Sequence, residues 1–225
     1  MQNKTLEDIE ELDIVVFYSF NSPFGPMENQ RYVTDIDVEI CTCDDQSKKK
    51  ERIGKANLKI LLLNLASDNG YSHYDVFDTE MMLFDLGEHI YDFEEQCIKE
   101  KIKKEQKFDL DNDIIKVSYI EILPEYRKMG LGKKLIKDFY NRFRNCCCLF
   151  IVKPFPIQHS TGTDKESEWY KKMQYDILEN DFEIGKKKLQ KFYSSLGFTK
   201  SKIAQDYMFL KTETLNEKLD LVLLD

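Results

Sequence analysis

The chain has 225 residues, a formal net charge of −8, and 42% hydrophobic residues beside 33% charged ones. It is too hydrophobic for a disordered chain and too charged for a membrane-embedded one, and its acidity argues against nonspecific nucleic-acid binding, which needs clustered cations. We therefore expect a single globular domain with neither nucleic acid nor membrane as a partner.

The six cysteines form no pattern typical of a disulfide framework or of a zinc site. Cys146, Cys147 and Cys148 are interpreted as buried strand residues, because no histidine is placed to activate them as nucleophiles. The first twelve residues are polar and acidic, unlike a signal peptide. We therefore expect reduced thiols, no bound metal and a cytoplasmic protein.

The first third of the chain predicts strands, and a long helix follows them. Residues 12–20 form a dense apolar run typical of a buried strand, and the proline-rich residues 21–29 predict a loop. Apolar residues recur at helical spacing over residues 77–104, which predicts one amphipathic helix. Met82 lies on the stripe that this helix is expected to bury.

A charged hairpin is predicted between residues 35–43 and 51–60, where charged and apolar side chains alternate. The acidic exposed positions of the first strand should face the basic exposed positions of the second. The expected pairs are Asp35 with Lys59, Glu39 with Lys55, and Cys43 with Glu51.

The second half alternates strands with helices. Residues 117–136 predict a strand, a turn and a helix, and residues 146–153 predict a further buried strand. Residues 185–196 predict a helix that Gly197 ends, and residues 198–211 predict the last strand or hairpin. This order of elements favours a mixed α/β sheet with antiparallel and parallel parts.

A short motif stands where the strand of residues 117–136 gives way to its helix. A helix N-terminus exposes unpaired N–H groups and positive dipole charge, and glycine lets an anion approach the backbone closely. Such a turn is typical of a phosphate or pyrophosphate cradle, although a plain strand-to-helix turn would also use glycines. The motif residues are Arg127, Lys128, Met129, Gly130, Leu131, Gly132 and Lys133.

Residues 120–136, IEILPEYRKMGLGKKLI, resemble the acetyl-CoA-binding motif of the GNAT superfamily of N-acetyltransferases. Residues 192–198, FYSSLGF, resemble a second signature of that family, and the resemblance covers about residues 114–211. It implies a mixed, mostly antiparallel twisted sheet with a splayed parallel strand pair and helices on both faces.

The same resemblance divides the chain, as one domain over residues 1–225, into parts. These are an atypical N-terminal half at 1–112, a motif core at 113–211, an insertion at 155–184 and a C-terminal tail at 213–225. A capping pattern of Thr163 and Glu166 predicts that a helix begins in the insertion.

The resemblance implies transfer of an acetyl group from acetyl-CoA to a primary amine of a small molecule or peptide, by direct attack in a ternary complex. The motif residues would then bind the pyrophosphate, and backbone N–H groups at Ile122 and Leu123 would polarise the thioester carbonyl. No metal is implied, and homodimerisation stays open. A noncatalytic acyl-CoA-binding or protein-interaction module on the same fold is the alternative.

The catalytic side chains are less well defined than the cradle. By resemblance, Tyr193 would protonate the leaving thiolate. The alternative is that Tyr193 packs with Phe192 and Leu196 and does no chemistry.

Glu121 and His159 are the two candidate general bases, and for each the alternative is an exposed or hydrogen-bonded surface residue. Strict alternation would point Glu121 to the opposite face from Ile120 and Ile122, unless a bulge changes the phase. Lys116 and Ser118 occupy strand positions where relatives often carry glutamate, histidine or tyrosine, and neither is a convincing base.

Overall fold

The computed structural model describes residues 13–20, 29–43, 48–110, 113–161 and 164–223. The strands are β1 (Ile14–Phe20), β2 (Val33–Cys43), β3 (Lys49–Leu61), β4 (Tyr91–Asp92), β5 (Cys97–Ile98), β6 (Ile114–Ile122), β7 (Leu149–Val152), β8 (Thr199–Lys200) and β9 (Met208–Lys211). The helices are α1 (Leu63–Asp68), α2 (His73–Phe77), α3 (Met81–Ile90), α4 (Glu100–Gln106), α5 (Leu131–Phe143), α6 (Glu168–Met173), α7 (Phe182–Ser195) and α8 (Glu217–Asp220).

Seven strands form one sheet in the order β1-β2-β3-β6-β7-β9-β8, and β4 and β5 form a separate small hairpin. Within the large sheet, β6 and β7 are the parallel neighbours, and the other described pairs are antiparallel. The predicted fold class, a mostly antiparallel mixed sheet with one parallel pair and helices on both faces, is confirmed.

Two hydrophobic cores lie on opposite faces of this sheet. One contains the apolar residues of α5 and α7 and also Leu58 and Val117 of the central strands. The other contains apolar residues of α1 to α4 and also Ile114 and Ile151. Helices α5 and α7, which carry the two family-like motifs, therefore share one face, and the helices of the N-terminal half cover part of the other.

The register of the β2–β3 hairpin was predicted correctly except at its tip. Asp35 opposes Lys59 and Glu39 opposes Lys55, as expected. Cys43 opposes Lys49 rather than Glu51, because two register shifts occur between Ile40 and Cys43. A bulge leaves no sign in an alternating pattern, so counting residues along the two strands assigns the wrong partners beyond the bulge.

The single helix predicted over residues 77–104 is wrong. Helix α3 ends at Ile90, and the chain then forms the β4–β5 hairpin before α4 begins at Glu100. Tyr91 is buried at the start of that hairpin, where its hydroxyl donates to the Gln96 carbonyl oxygen at 2.8 Å. Met82 was expected in the core, but its side chain is 56% exposed.

The insertion helix α6 begins at Glu168, with the Ser167 side chain accepting from the Tyr170 N–H. Thr163, the capping residue predicted for it, lies outside the described residues. The next helix, α7, begins at Phe182, earlier than predicted, because the Asp181 side chain caps its N-terminus.

The C-terminal tail packs against the motif helices. Leu219 of α8 is buried, and the Asn216 side chain donates to the Leu196 carbonyl oxygen at 2.8 Å. Lys137 of α5 donates to the Val222 carbonyl oxygen at 2.6 Å. Within the described ranges, no helix is both long enough and apolar enough to cross a membrane.

Candidate active site

A gap opens between β6 and β7 in the middle of the sheet. The parallel ladder runs from Ile114–Leu149 to Val117–Val152 and ends there. Strand β6 continues to Ile122, paired with β3 alone among the described strands, while β7 ends and prolines follow at 154 and 156. The divergence leaves one edge of β6, from Ser118 onwards, without a neighbouring strand among the described residues.

The end of β6 presents backbone groups to this gap. The Leu123 N–H donates to the Ile53 carbonyl oxygen of β3 at 2.9 Å. Because donors alternate in direction along a strand, the Ile122 N–H points away from β3, towards the gap. Leu123 was expected to donate to a thioester carbonyl, and that expectation is wrong since its N–H is already used; Ile122 remains a prediction.

The turn between β6 and α5 has an unusual backbone. Lys128 and Gly130 both have positive φ, at 65° and 80°. The Lys133 and Lys134 N–H groups donate to the Gly130 carbonyl oxygen, at 2.9 and 3.0 Å. In the described part of the chain, no carbonyl accepts from the N–H groups of residues 128–132. Those groups surround the helix N-terminus, where an anion is favoured.

The two motif glycines serve different purposes. Gly130 has nothing within 4 Å of the position that a Cβ would occupy, so its glycine is required by the positive φ and leaves the turn open. A Cβ on Gly132 would lie 3.3 Å from Phe192 Cζ. Gly132 was expected to clear space for a pyrophosphate, but here it admits the aromatic ring of the second motif.

Arg127 does not face the cradle, contrary to expectation. Its Nε donates to the Ile122 carbonyl oxygen at 2.8 Å, and its Nη2 donates to the Met173 carbonyl oxygen at 2.6 Å. Burial lowers the pKa of its guanidinium. Arg127 therefore ties the end of β6 to helix α6, which leaves Lys128 and Lys133 as the exposed cations of the turn.

Tyr193 lies in α7, beside the ring that contacts Gly132. Its side chain is 9% exposed, and its ring packs on Phe192 and Phe198 with centroid distances of 5.1 and 5.4 Å. Its hydroxyl hydrogen-bonds to no described residue and is not among the enclosed polar atoms that lack a partner. Burial raises the pKa of Tyr193 to about 12, so the phenol keeps its proton at neutral pH.

The face of β6 opposite α5 carries polar residues in an order set by a bulge. Tyr119 opposes Asn57 and Val117 opposes Leu58, so Ser118 is the inserted residue. Its hydroxyl is enclosed and has no partner among the described residues. Beyond the bulge the alternation changes phase. Three β6 residues consequently share the face of the charged hairpin, namely Lys116, Tyr119 and Glu121.

Glu121 fastens the insertion to the sheet. Its carboxylate accepts hydrogen bonds from Trp169 Nε1, at 2.6 Å, and from the Tyr175 hydroxyl. Lys55 and Arg52 lie over the Trp169 ring, at 4.5 and 5.0 Å from its centroid. Both carboxylate oxygens of Glu121 are therefore engaged in the tether, and its role as general base stays a prediction.

Two buried lysines lie side by side on this polar face. Lys59 and Lys116 oppose each other on β3 and β6, and they are 5% and 4% exposed. Lys59 contacts Asp35 and Glu80, each at 2.7 Å. Burial opposes the charge of Lys59, but the hydrogen bonds to these two carboxylates raise its pKa. Lys116 forms no hydrogen bond or ion pair with any described residue, and burial lowers its pKa to about 8.

His159, the other expected base, lies in a turn after β7. Its ring packs edge-on against Phe182 at the start of α7, with the centroids 5.5 Å apart. Its Nε2 is enclosed and has no partner among the described residues. The described contacts of His159 do not connect it to the polar face of β6.

The cysteines carry no chemistry that the described residues support. Cys147 and Cys148 are buried as predicted, whereas Cys146 is exposed and precedes β7, contrary to prediction. Burial raises the pKa of the Cys147 thiol far above its ordinary value, which disfavours a thiolate. Among the described side chains, no group of three or more His, Cys, Asp or Glu is arranged to hold a metal ion.

Sequence reasoning did not identify the tether residues Trp169 and Tyr175 or the ion-paired Lys59 as parts of one site. The alternation of charge along β2 and β3 was the one signal for this face. The insertion gave no comparable signal, since its contacts with Glu121 join residues 48 and 54 positions apart.

No protein-family model matches the sequence, and the search of curated proteins gave no match either. A solved structure of a mutant AtaT toxin bound to the C-terminus of the antitoxin AtaR is similar to this chain, with 10% sequence identity and a TM-score of 0.40. The similarity covers 93% of this chain and 96% of that one.

Proposed function

We propose that the chain is a CoA-dependent N-acyltransferase that transfers an acetyl group from acetyl-CoA to a primary amine of a small molecule or peptide. The gap between β6 and β7 carries this proposal. It opens beside a helix N-terminus whose amide groups have no described acceptor, so a phosphorylated thioester can lie across the sheet with its acyl end in the gap.

The donor end fits the residues of the β6–α5 turn. Amide groups at 128–132 would receive the pyrophosphate, and the exposed Lys128 and Lys133 would add positive charge. The Ile122 N–H would donate to the acyl carbonyl oxygen, where a fixed donor is worth about 3 kcal/mol in acyl transfer. Acetyl-CoA itself would supply the activated thioester.

The acceptor would approach from the other face of the sheet. Helices α5 and α7 cover the cradle face, whereas Lys116, Tyr119 and Glu121 line the polar face beside the same gap. Tyr193, on the cradle face, would keep its proton until the thiolate leaves. The two reactants thus enter from opposite sides and meet between β6 and β7.

Calorimetry with acetyl-CoA tests the donor site. We expect the charge reversal Lys128→Glu with Lys133→Glu to weaken binding at least tenfold, because phosphate contacts are charge-assisted. The matched control is Lys101→Glu with Lys104→Glu on α4, which makes the same change in net charge on the other face. Equal losses in both variants would contradict a local cradle.

Thiol release from acetyl-CoA tests the transfer itself. The amine panel contains spermidine, an aminoglycoside, tyramine, a lysine-containing peptide and a peptide with a free N-terminus. We expect release with at least one amine, together with a product heavier by one acetyl group. Binding without release across the panel favours the noncatalytic acyl-CoA-binding module, and no binding refutes both functions.

A further inference from the structure

Lys116 has no dedicated counterion among the described residues, although charged groups surround it. Lys59 of β3 and Lys153 after β7 add positive charge, and Glu80 and Asp85 of α3 and its N-cap add negative charge. Each of these carboxylates is already engaged by another lysine. Glu80 contacts Lys59 at 2.7 Å, and Asp85 contacts Lys153 at 2.8 Å.

The amine of Lys116 is nevertheless not sealed inside the protein. The enclosed side-chain polar atoms without a partner in the described part of the chain belong to Ser118, Arg127 and His159. Lys116 Nζ is not among them, so the amine is not fully enclosed despite the 4% exposure of the residue. A buried, accessible and unpaired amine is costly to keep charged, which is the property of a proton acceptor.

Lys116 also lies where the gap begins. It pairs with Ile151, one residue before the last parallel pair at Val117–Val152. Its neighbours Ile115 and Val117 belong to the core on the face of α5 and α7. Side chains alternate along the strand, so Lys116 extends to the opposite face, from which the acceptor would approach.

We propose that Lys116 is the general base that deprotonates the acceptor amine. The assignment rests on the proposed acyl transfer. It gives Lys116 a role that a lysine would not suggest by residue type alone. Its burial without a counterion favours the neutral form, and a pKa of about 8 leaves part of the population neutral at neutral pH. Lys59, held by two carboxylates on the next strand, stays charged and cannot do this.

The proton and electron balance is complete without a further reactant. Six strand positions separate Lys116 from the Ile122 N–H that would hold the acyl oxygen, so neutral Lys116 Nζ takes the proton of the acceptor ammonium through intervening water. The nitrogen lone pair then forms the new bond to the acyl carbon. The carbon–sulfur bond breaks, and the Tyr193 phenol donates its proton to the departing sulfur. The new amide nitrogen loses its second proton, which solvent carries to the Tyr193 phenolate, and Lys116 releases the first proton to solvent. The net products are therefore amide, thiol and one proton.

The first measurement does not depend on turnover. In protein carrying nitrogen-labelled lysine, the Nζ chemical shifts of Lys116 and Lys59 are followed by NMR against pH, and each is assigned by its Met variant. We expect Lys116 to titrate near pH 8 and Lys59 above its ordinary pKa of 10.5. A Lys116 midpoint near 10.5 overturns the proposal, whatever the enzyme does.

The second measurement is the pH dependence of kcat/KM with the best amine of the panel. Lys116→Met and Lys116→Arg should both lower kcat/KM about 100-fold, because neither side chain can accept the proton. Lys116→His should recover part of the rate and move the acidic limb to about pH 6.5. A purely structural lysine would not move that limb.

The outcomes separate the two proposals. Normal turnover with an unmoved acidic limb in the Lys116 variants overturns the base assignment and leaves the transferase intact. Titration of Lys116 near pH 8 with no thiol release from wild type and any amine overturns the transferase and, with it, the base. Both proposals are supported if Lys116 titrates with a midpoint near pH 8 and the acidic limb of kcat/KM shifts with the residue type at position 116.

Discussion

The two faces of strand β6 differ in whether their structure depends on neighbouring residues or on distant ones. On the cradle face, the turn at residues 127–133 gets its shape from adjacent residues, and its exposed lysines remain solvated. On the polar face, Lys116 and Glu121 acquire their surroundings from β3, α3 and the insertion, through partners tens of residues away. Local chemistry thus defines the proposed donor end, and tertiary structure defines the proposed acceptor end.

The faces also treat charge differently. Lys128 and Lys133 lie in water, where an unpaired cation costs little and is free to meet an anion. Lys59 and Lys116 are buried, where each cation either finds carboxylates or is driven towards its neutral form. The cradle face therefore leaves its lysines in water, whereas burial on the polar face disfavours the charge of Lys116.

The largest effect should come from Tyr193, which tests whether chemistry also occurs on the cradle face. Tyr193→Phe should lower turnover about 100-fold, or about 2.7 kcal/mol, with acetyl-CoA affinity nearly unchanged. Single-turnover kinetics and calorimetry separate the two quantities. Stability should change by less than about 0.5 kcal/mol, because the hydroxyl has no partner among the described residues.

A matched tyrosine on α5 provides the control. The Tyr140 hydroxyl donates to the Thr214 carbonyl oxygen at 3.0 Å, so Tyr140→Phe should cost about 1 kcal/mol of stability with turnover unchanged. Unchanged turnover in Tyr193→Phe would show that the ring only packs.

The paired lysines should respond to removal with opposite signs. At pH 7, Lys116→Met should stabilise the protein by about 2 kcal/mol, because it removes an unpaired buried charge. Lys59→Met should destabilise it by a similar amount, because Asp35 and Glu80 lose their shared cation. Urea unfolding of both variants at pH 7 measures the difference.

The pH dependence of wild-type stability follows from the same site. The folded pKa of Lys116 is about 8 and the unfolded value is 10.5, so the unfolded state binds more protons between these values. Stability should therefore rise with pH through that window, and this rise should be smaller in Lys116→Met. Identical curves for the two proteins would contradict an uncompensated lysine.

Glu121 tests how firmly the insertion is attached to the polar face. Glu121→Ala leaves the buried Tyr175 hydroxyl and the Trp169 indole N–H without their acceptor, which should cost about 1.5 kcal/mol. Hydrogen exchange should accelerate in residues 168–177 and stay unchanged in β7. Glu121→Gln keeps an acceptor oxygen and should lose less.

The same pair of variants separates the tether from the predicted base. A tether predicts that Glu121→Gln keeps most of the turnover that Glu121→Ala loses. Equal and large losses of turnover in both variants, with an altered pH profile, would restore Glu121 as the base and count against Lys116.

The smallest effects should distinguish the two glycines of the cradle. Gly130→Ala should cost about 1 kcal/mol through its positive φ, whether or not Phe192 is present. Gly132→Ala gains helix propensity but crowds Phe192, so its net effect should be small and should become stabilising in combination with Phe192→Leu. Thermal unfolding of this double-mutant cycle measures the coupling. Additive changes would contradict a direct contact between the motifs.

The sequence predicted the fold class and the strand–turn–helix of the cradle because both depend on contiguous patterns. It also predicted two charge pairs of the hairpin, since strict alternation fixes register until a bulge intervenes. It did not predict the bulge at Ser118, which no residue type there signals. Strict alternation without that bulge would place Glu121 on the opposite face from Lys116.

The direction of Arg127 shows a second limit. A cation beside a glycine turn favours an anion ligand. Here, however, the Arg127 guanidinium donates its hydrogen bonds to the carbonyl oxygens of Ile122 and Met173. Met173 belongs to an insertion whose docking position cannot be derived from a local pattern. The proposed role of Lys116 was equally absent from the sequence pattern, because it depends on which carboxylates the neighbouring lysines have already engaged.

Trp169 is the one tryptophan of the sequence, and its indole lies between the Glu121 carboxylate and the cations of Arg52 and Lys55. Charges so close to an indole shift the energy of its excited state and quench its emission. The protein thus contains its own optical probe, placed at the junction of insertion and sheet. A change in the colour or brightness of its fluorescence would report, without any added label, whether binding of the proposed acceptor rearranges that junction.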